Sequence, residues 1–311
     1  METWDLIVIG AGAAGLAAGI YGARSGLKTL LIEERMAGGT TSDAPLIENY
    51  PGFPQIVGTE LADKMTLHCK KTGAVIHDIE SVVSMQLKGE KKIVKTTRGE
   101  YEATAIIIAT GAHYKEIGAK GEKEFHGRGV SYCGVCDGPF FKGKHVMVVG
   151  GGNSAVITTL YLSGIAGQVT MVHRKEIFRA EEALVKDATS KNNVQVLWNN
   201  EVKEIKGEKI VKSVVLSNIQ SKEERELPVD AVFVQVGESP NSTAALEAGV
   251  APEEGGCAIK VDIRQRTNLS GIFAAGDVTD YPVRQVGTAV GQGITAALEA
   301  YGYIRRPYYR K

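Results

Sequence analysis

An α/β fold built on parallel sheets is predicted by three stretches of the sequence. Each joins a short apolar strand to a glycine-containing turn and then to a helical pattern: residues 6–24, residues 145–163 and residues 272–300. The chain has 311 residues, 43% of them hydrophobic, which is enough for two domains with buried cores. Its 37 glycines cluster in short apolar stretches with no repeat period, so close backbone approach to ligands is the expected use.

In WDLIVIGAGAAGLAAGIYGARSG the strand Leu6 to Ile9 breaks into Gly10-Ala-Gly12-Ala-Ala-Gly15 and continues as an alanine-rich helix. Gly10 permits the tight turn, Gly12 lets the backbone approach a pyrophosphate, and Gly15 lets the helix pack close to the strand. The helix amino terminus then faces the anion. A second strand, Lys28 to Ile32, ends at Glu33, where a carboxylate can accept hydrogen bonds from a ribose diol. Strand, turn, helix, strand and acid in this order make the unit Rossmann-like.

The stretch HVMVVGGGNSAVITTLYLSGIAGQVTMVHRKEIFRA repeats the pattern. Strand His145 to Val149 leads into Gly150-Gly-Gly152-Asn153-Ser154-Ala155, a helix, and a strand from Gln168 to Val172. Glu33 follows Gly10 by 23 positions, and the residue 23 positions after Gly150 is His173, followed by Arg174 and Lys175. A basic group in that place accommodates the 2′-phosphate of NADP, and Arg179 adds a second charge one turn on. The plainer reading is a solvated basic loop. Lys175 is a point charge without a guanidinium fork.

Two further pieces complete the order. ATAIIIATGAHY gives a buried strand, Ala105 to Ala109, ending in Ala109-Thr110-Gly111. GIFAAGDV gives a strand, Ile272 to Ala275, before Gly276-Asp277, with a helix from about Arg284. Asp277 suits a carboxylate near a ribityl or pyrophosphate group, or it caps a turn. The order predicts a discontinuous domain, residues 1–114 and 247–311, with a second domain, residues 115–246, inserted in it. The links KEIGAKGEKEF and GESPNSTAAL have the Gly, Pro and polar content of joints between domains.

Lys plus Arg and Asp plus Glu are equal at 36 each, so no global field favours nucleic acid or an acidic membrane surface. Leu6 to Ala23 is uncharged for 18 residues, but its five glycines argue against a membrane span, and no basic region marks a signal peptide. Four cysteines, Cys69, Cys133, Cys136 and Cys257, are too few for a disulfide scaffold, and a reducing, cytoplasmic setting is expected.

Cys133 and Cys136 lie in SYCGVCDGPFFKGK. With His126 and His145 they could be imagined as a zinc set, but structural zinc draws ligands as two closely spaced pairs, and no metal site is expected. A structural disulfide three residues apart would close too small a loop to remove much chain entropy. A redox couple fits better, because C-x-x-C at a helix start lowers one thiol's pKa and lets the sulfurs exchange with a partner's disulfide. Asp137 can move the proton that dithiol chemistry requires, or stabilise the helix start. Cys69 and Cys257 lack partner spacing and are expected to be packing or surface residues.

Two nucleotide units, C-x-x-C-D-G opening the second, GGGNSAV, HRKEIFRA, and GIFAAGDV with Arg284-Gln285 following, together resemble the low-molecular-weight thioredoxin reductase family from about Trp4 to Ala300. The resemblance implies two Rossmann-like dinucleotide-binding domains of the three-layer ββα type, an NADPH domain inserted into a split FAD domain, and a homodimer. It places Gly10, Gly12, Ala13, Ala14, Glu33, Gly39, Thr40, Asn49, Ala109, Asp277, Arg284 and Gln285 at FAD. It places Gly150, Gly152, Asn153, Ser154, His173, Arg174, Lys175 and Arg179 at NADPH. The implied relay runs from NADPH to the flavin, to the Cys133–Cys136 disulfide, and then to thioredoxin or a thioredoxin- or glutaredoxin-like protein. Cys136 would meet the flavin, Cys133 would attack the partner, and the inserted domain would rotate between two arrangements.

Two departures from the family pattern bear on the electron donor: Val156-Ile157-Thr158-Thr159 is uncharged where acidic residues are common, and Lys175 stands beside Arg174. Gly134 and Val135 between the sulfurs, and Pro139 to Phe141 after them, are candidates for partner selection. The tail YGYIRRPYYRK is aromatic and basic, suited to a frayed end, to covering the flavin or to touching a partner. Rival readings are a same-fold dithiol oxidoreductase with another donor or acceptor, and a non-catalytic redox or nucleotide sensor.

Overall fold

The computed structural model describes residues 1–44 and 46–305. The chain forms two compact units, one of Met1–His113 with the chain from Ser239 onward, the other of Tyr114–Glu238. The first segment carries β1 (Glu2–Ile9), α1 (Ala13–Arg24), β2 (Thr29–Ile32), α2 (Gly58–Lys71), β3 (Val75–His77), β4 (Val82–Gln86), β5 (Lys92–Thr96), β6 (Glu100–Ile108) and β7 (Ala112–Tyr114). The middle segment carries β8 (Val130–Ser131), α3 (Gly134–Asp137), β9 (His145–Val149), α4 (Asn153–Ser163), β10 (Gln168–His173), α5 (Glu182–Thr189), β11 (Val194–Trp198), β12 (Asn200–Gly207), β13 (Val211–Asn218), β14 (Glu224–Pro228) and β15 (Ala231–Val234). The returning segment carries β16 (Glu238–Pro240), α6 (Thr243–Glu247), β17 (Ile272–Ala274) and α7 (Val286–Arg305).

In the first unit the sheet order is β3-β2-β1-β6-β5-β4, with β17 also paired to β6. Strands β3, β2, β1, β6 and β17 run parallel, which is why β1 and β2 read as continuous apolar runs: both faces of such strands are covered. Leu6 and Val8 pack with α1 and α7 residues such as Leu16 and Ala296, while Ile7 and Ile9 pack on the other face with Ile106 and Val278. That alternation is the two-residue period of an extended strand.

In the second unit a parallel sheet of order β11-β10-β9-β15-β8 stands beside an antiparallel sheet, β12-β13-β14. One core, containing Met147, Val214 and Leu216, lies between the sheets, and a second, containing Val148, Leu162 and Met171, lies under α4 and α5. The antiparallel sheet has no glycine-turn signature.

The chain returns to the first unit earlier than the predicted boundary at 247. The two crossings pair as a ribbon of β7 and β16, and Ala245 of α6 is buried with Val250 and Ile259 in the first unit's core. A polar, proline-containing link thus includes a short helix with one apolar face. The last helix ends at Arg305, which meets Asp5 at 3.3 Å; the remainder of the aromatic, basic tail lies outside the described residues.

Candidate redox site and nucleotide turns

The first glycine turn lies between the end of β1 and the start of α1, with Gly12 as the helix N-cap and Ala13 and Ala14 in the buried first turn. A Cβ at Gly15 would sit 1.9 Å from the Gly10 carbonyl oxygen, so only glycine lets α1 start this close to the strand. A Cβ at Gly10 would strike the Ala109 carbonyl at 2.3 Å, which puts the end of β6 against the turn. Above Gly12 the space is open, the nearest atom to an added Cβ being the Gly39 Cα at 3.8 Å. Such a floor of exposed backbone at a helix amino terminus fits a pyrophosphate.

Of the other residues expected at FAD, Glu33, Gly39 and Gly276 before Asp277 lie against this turn, while Asn49 and Gln285 are joined to each other. Glu33 follows β2, and its carboxylate accepts from the backbone N–H of Ala11 at 2.7 Å and of Arg35 at 2.9 Å. Gly39 and exposed Thr40 lie in a single 3-10 turn, and the amide of Gly38 donates to the Ala11 carbonyl at 2.8 Å. Asn49 Nδ2 donates to Gln285 Oε1 at 3.1 Å across 236 residues of sequence. Gly276, whose N–H donates to Gln292 Oε1 at 2.6 Å, packs against Ala14 and leads into half-buried Asp277. Arg284 immediately precedes Gln285, just before α7.

The second turn lies between β9 and α4, with Gly152 as N-cap and open space above it. The Gly150 amide donates to the Val172 carbonyl at 3.0 Å, and a Cβ at Gly150 would meet the Gln235 carbonyl at 2.2 Å. Asn153 clasps Glu181, its Oδ1 accepting from the Glu181 amide at 2.9 Å, and Ser154 is exposed. The Arg179 amide donates to the Gly151 carbonyl at 2.8 Å, so the loop after β10 folds back over the turn. Arg174, Lys175 and Arg179 are exposed there. His173 is not part of that cationic rim. Its ring is buried beneath Gly151, stacks on Phe178 at 5.4 Å, and has Nε2 at 3.2 Å from the Ile177 carbonyl. Burial, aided by the three neighbouring cations, holds its pKa below the usual histidine value, so it supports the turn as a neutral ring.

Cys133 and Cys136 are joined as a disulfide, with Cα atoms 5.3 Å apart. Cys133 is the N-cap of α3, and its Sγ accepts from the backbone N–H of Cys136 at 3.2 Å. A helix-start amide aimed at sulfur is the arrangement that stabilises a thiolate after reduction. Ser131 Oγ accepts from the Cys133 amide at 3.0 Å and donates to the Cys133 carbonyl at 3.2 Å, a brace that C-x-x-C spacing alone does not announce. Burial raises the Asp137 pKa above the ordinary aspartate value, against the opposing effects of the Ser131 hydrogen bond and the His126 charge.

The uncharged run after GGGNSA has a structural cause. Val156, Thr158 and Thr159 are buried, and Thr158 meets Gly134 so closely that a Cβ at Gly134 would lie 2.5 Å from its methyl group. Helix α3 therefore rides directly on α4, and a carboxylate at 158 would be driven into that contact. Ile157 is exposed.

His145 does not join the cysteines; its Nε2 lies 2.9 Å from Thr170 Oγ1. Among the described residues no group of three or more His, Cys, Asp or Glu side chains is arranged to hold a metal ion. Cys69 is buried in α2, where burial pushes its thiol up to about 12, and Cys257 is exposed. Among the described residues no helix is long and apolar enough to cross a membrane.

A disulfide at a helix start, in a chain with two glycine turns built for dinucleotides, defines a nucleotide-linked redox enzyme. The chain belongs to the pyridine nucleotide-disulphide oxidoreductase family, which matches residues 4–293. It is 46% identical over 306 residues to the thioredoxin reductase of Bacillus subtilis, covering 97% of this chain and 95% of that one. Its fold is similar to the thioredoxin reductase of Streptococcus pyogenes, with a TM-score of 0.93, 39% identity and coverage of 98% and 99%. A ferredoxin-flavin thioredoxin reductase from Clostridium acetobutylicum is similar at TM-score 0.52 and 34% identity, with 99% of each chain covered. Thioredoxin reductases of this family use FAD and NADPH.

Proposed function

We propose that the enzyme is an NADPH-dependent thioredoxin reductase. FAD is assigned to the first unit, on Gly10, Gly12, Ala13, Ala14, Glu33, Gly39, Thr40, Asn49, Ala109, Asp277, Arg284 and Gln285. NADPH is assigned to the second, on Gly150, Gly152, Asn153 and Ser154 with Arg174, Lys175 and Arg179 at the 2′-phosphate, and with His173 beneath. FAD, when bound, supplies the two-electron link between the nicotinamide and the disulfide. The observation that carries the reading is the Cys133 sulfur held by the Cys136 amide at a helix start, in the same unit as a turn rimmed by three cations.

In the oxidative half of the cycle the Cys133 thiolate attacks one sulfur of the partner's disulfide, breaking that bond and forming a mixed disulfide. The Cys136 thiolate then attacks Cys133, restoring the internal disulfide and releasing the partner as a dithiol two electrons more reduced. Asp137, whose raised pKa lets it carry a proton nearer neutrality, protonates the departing thiolate. Thioredoxin's potential of about −270 mV sets the demand on the pair. Exposed Val135 and Phe140 beside the disulfide suit an apolar contact with the partner. A homodimer in a reducing, cytoplasmic compartment completes the assignment.

The test is a purified, FAD-loaded enzyme supplied with NADPH, NADH or chemically reduced ferredoxin, scored by flavin bleaching and by thioredoxin thiols formed. Bleaching and thiol release with sub-millimolar NADPH are expected. Bleaching by ferredoxin alone would overturn the donor, and flavin reduction without thioredoxin thiols would overturn the acceptor. The ferredoxin arm is included because the run Val156 to Thr159 on α4 is uncharged and a ferredoxin-flavin thioredoxin reductase has a similar fold.

A further inference from the structure

Tyr132, the residue before Cys133, is held at both of its ends. Its hydroxyl donates to Glu122 Oε1 at 2.9 Å. Glu122 is only 1% exposed, and its two oxygens also accept from the amides of Ile117 at 3.0 Å and Gly118 at 2.8 Å. Burial and the Glu122 charge raise the phenol's pKa, so it stays protonated and remains a donor. The ring stacks on Tyr114 at 5.1 Å and meets the edge of His126 at 5.3 Å. At the backbone end, Gln235 Nε2 donates to the Tyr132 carbonyl at 2.7 Å. Gln235 is itself fixed, because its amide donates to the Val149 carbonyl at 2.7 Å, continuing the β15–β9 ladder.

We propose that Tyr132 is a positioning residue for the redox turn, clamped by Glu122 and Gln235 so that the Cys133 sulfur stays on the Cys136 amide. With the clamp in place, the Tyr132 carbonyl is held by Gln235, and the Cys133 amide and carbonyl are held by Ser131. The peptide preceding the attacking sulfur has no polar group left to swing on. The Cys136 N–H then meets the Cys133 sulfur in the dithiol as well as in the disulfide, which favours thiolate. Released from the clamp, the turn samples geometries in which that N–H points elsewhere. Cys133 becomes a weaker acid, and the reduced state loses the stabilisation that thiolate character gives it.

This inference rests on the reductase reading for its purpose, but its test requires neither thioredoxin nor a nucleotide. The full, FAD-loaded enzyme is reduced with dithiothreitol and the rate at which iodoacetamide alkylates Cys133 is followed from pH 5 to 9. The midpoint of the Cys133–Cys136 couple is measured against dithiothreitol redox buffers. Tyr132→Phe removes only the phenol link and Gln235→Leu only the carbonyl link, so two independent variants report on one clamp. Each is expected to lower alkylation at pH 7 by about three- to tenfold, the size of one lost hydrogen bond. Each is also expected to move the pH midpoint of alkylation upward and to make the disulfide harder to reduce. The double variant should lose no more than about the product of the two, and less if the clamp acts as a unit. Profiles and potentials within twofold of the parent in both single variants would overturn the proposal. Failure of thioredoxin or NADPH assays with the parent would overturn the proposed function and leave these measurements standing.

Discussion

The two glycine turns share one backbone plan and differ in what stands beneath them. In the first, the Glu33 carboxylate reaches the amide of Ala11, the middle of the turn, at 2.7 Å. In the second, the neutral His173 ring fills the space under Gly151, so close that a Cβ there would lie 2.1 Å from it. The residue at the end of the second strand thus serves opposite ends in the two units. In one it presents an anion that can hold a ribose diol and would repel a 2′-phosphate. In the other it withdraws into the core and leaves the charge to Arg174, Lys175 and Arg179. On the proposed assignment, the same scaffold takes a different nucleotide according to whether one side chain faces the ligand or the protein.

The third turn position sharpens this comparison most. In the first unit it is Gly15, with no room for a Cβ against the Gly10 carbonyl; in the second it is Ala155, fully buried with its methyl group accommodated. Gly15→Ala must push α1 off β1, so FAD affinity should fall by about 10- to 100-fold, the usual cost of overpacking. The flavin-to-protein absorbance ratio after dialysis measures it. Ala155→Gly should keep NADPH binding and cost only about 1 kcal/mol of stability, as glycine does in a helix. Equal losses in the two variants would contradict the idea that the turns are packed differently.

The charge difference is the next lever. Arg174→Ala combined with Arg179→Ala should raise KM for NADPH by about ten- to thirtyfold while NADH kinetics change little, since only the 2′-phosphate distinguishes the two. A parallel loss with NADH would mean that the loop holds the turn's shape instead of the phosphate. On the other side, Glu33→Gln should weaken FAD by only a few-fold, because the amide can still hydrogen-bond a diol and loses mainly charge. Flavin fluorescence titration of the apoprotein reads this.

Those contrasts were legible in the sequence where chemistry is local. Glycine spacing, the following helix and the residue 23 positions on all lie within one strand-turn-helix-strand unit, and C-x-x-C is its own signal. What the sequence did not reveal was made by long-range contact. Asn49 meets Gln285 across 236 positions, and Gln235 meets Tyr132 across 103. The direction taken by His173 was also hidden, because Gly151, Phe178 and Trp198 form its pocket only once β10 and β11 pair. Likewise Val156, Thr158 and Thr159 read as missing charges until Gly134 is seen to pack on Thr158. The antiparallel sheet, β12-β13-β14, lacked a glycine-turn motif to announce it.

The smallest expected effect tests the buried His173 itself. Its pKa is lowered in the folded protein chiefly by burial, with the nearby Arg179, Arg174 and Lys175 acting in the same direction and the Ile177 carbonyl against them. The unfolded chain therefore takes up the proton first as pH falls. Stability contributed by the neutral ring is complete above the unfolded value of about 6.5 and is lost as pH falls through the lower folded value. The Trp198 ring lies 6.1 Å from His173, and the chain's only other tryptophan, Trp4, is in the first unit, so a change in Trp198 emission marks this site. In His173→Phe the stack is kept while the titration is removed. The fall in unfolding temperature between pH 7.5 and 5, followed on the Trp4→Phe background, should then be smaller than in the parent by on the order of 2 °C. An equal fall in both proteins would mean that His173 is charged or solvated in the native state. The second turn would then carry a fourth cation, and the contrast with Glu33 would be one of sign alone.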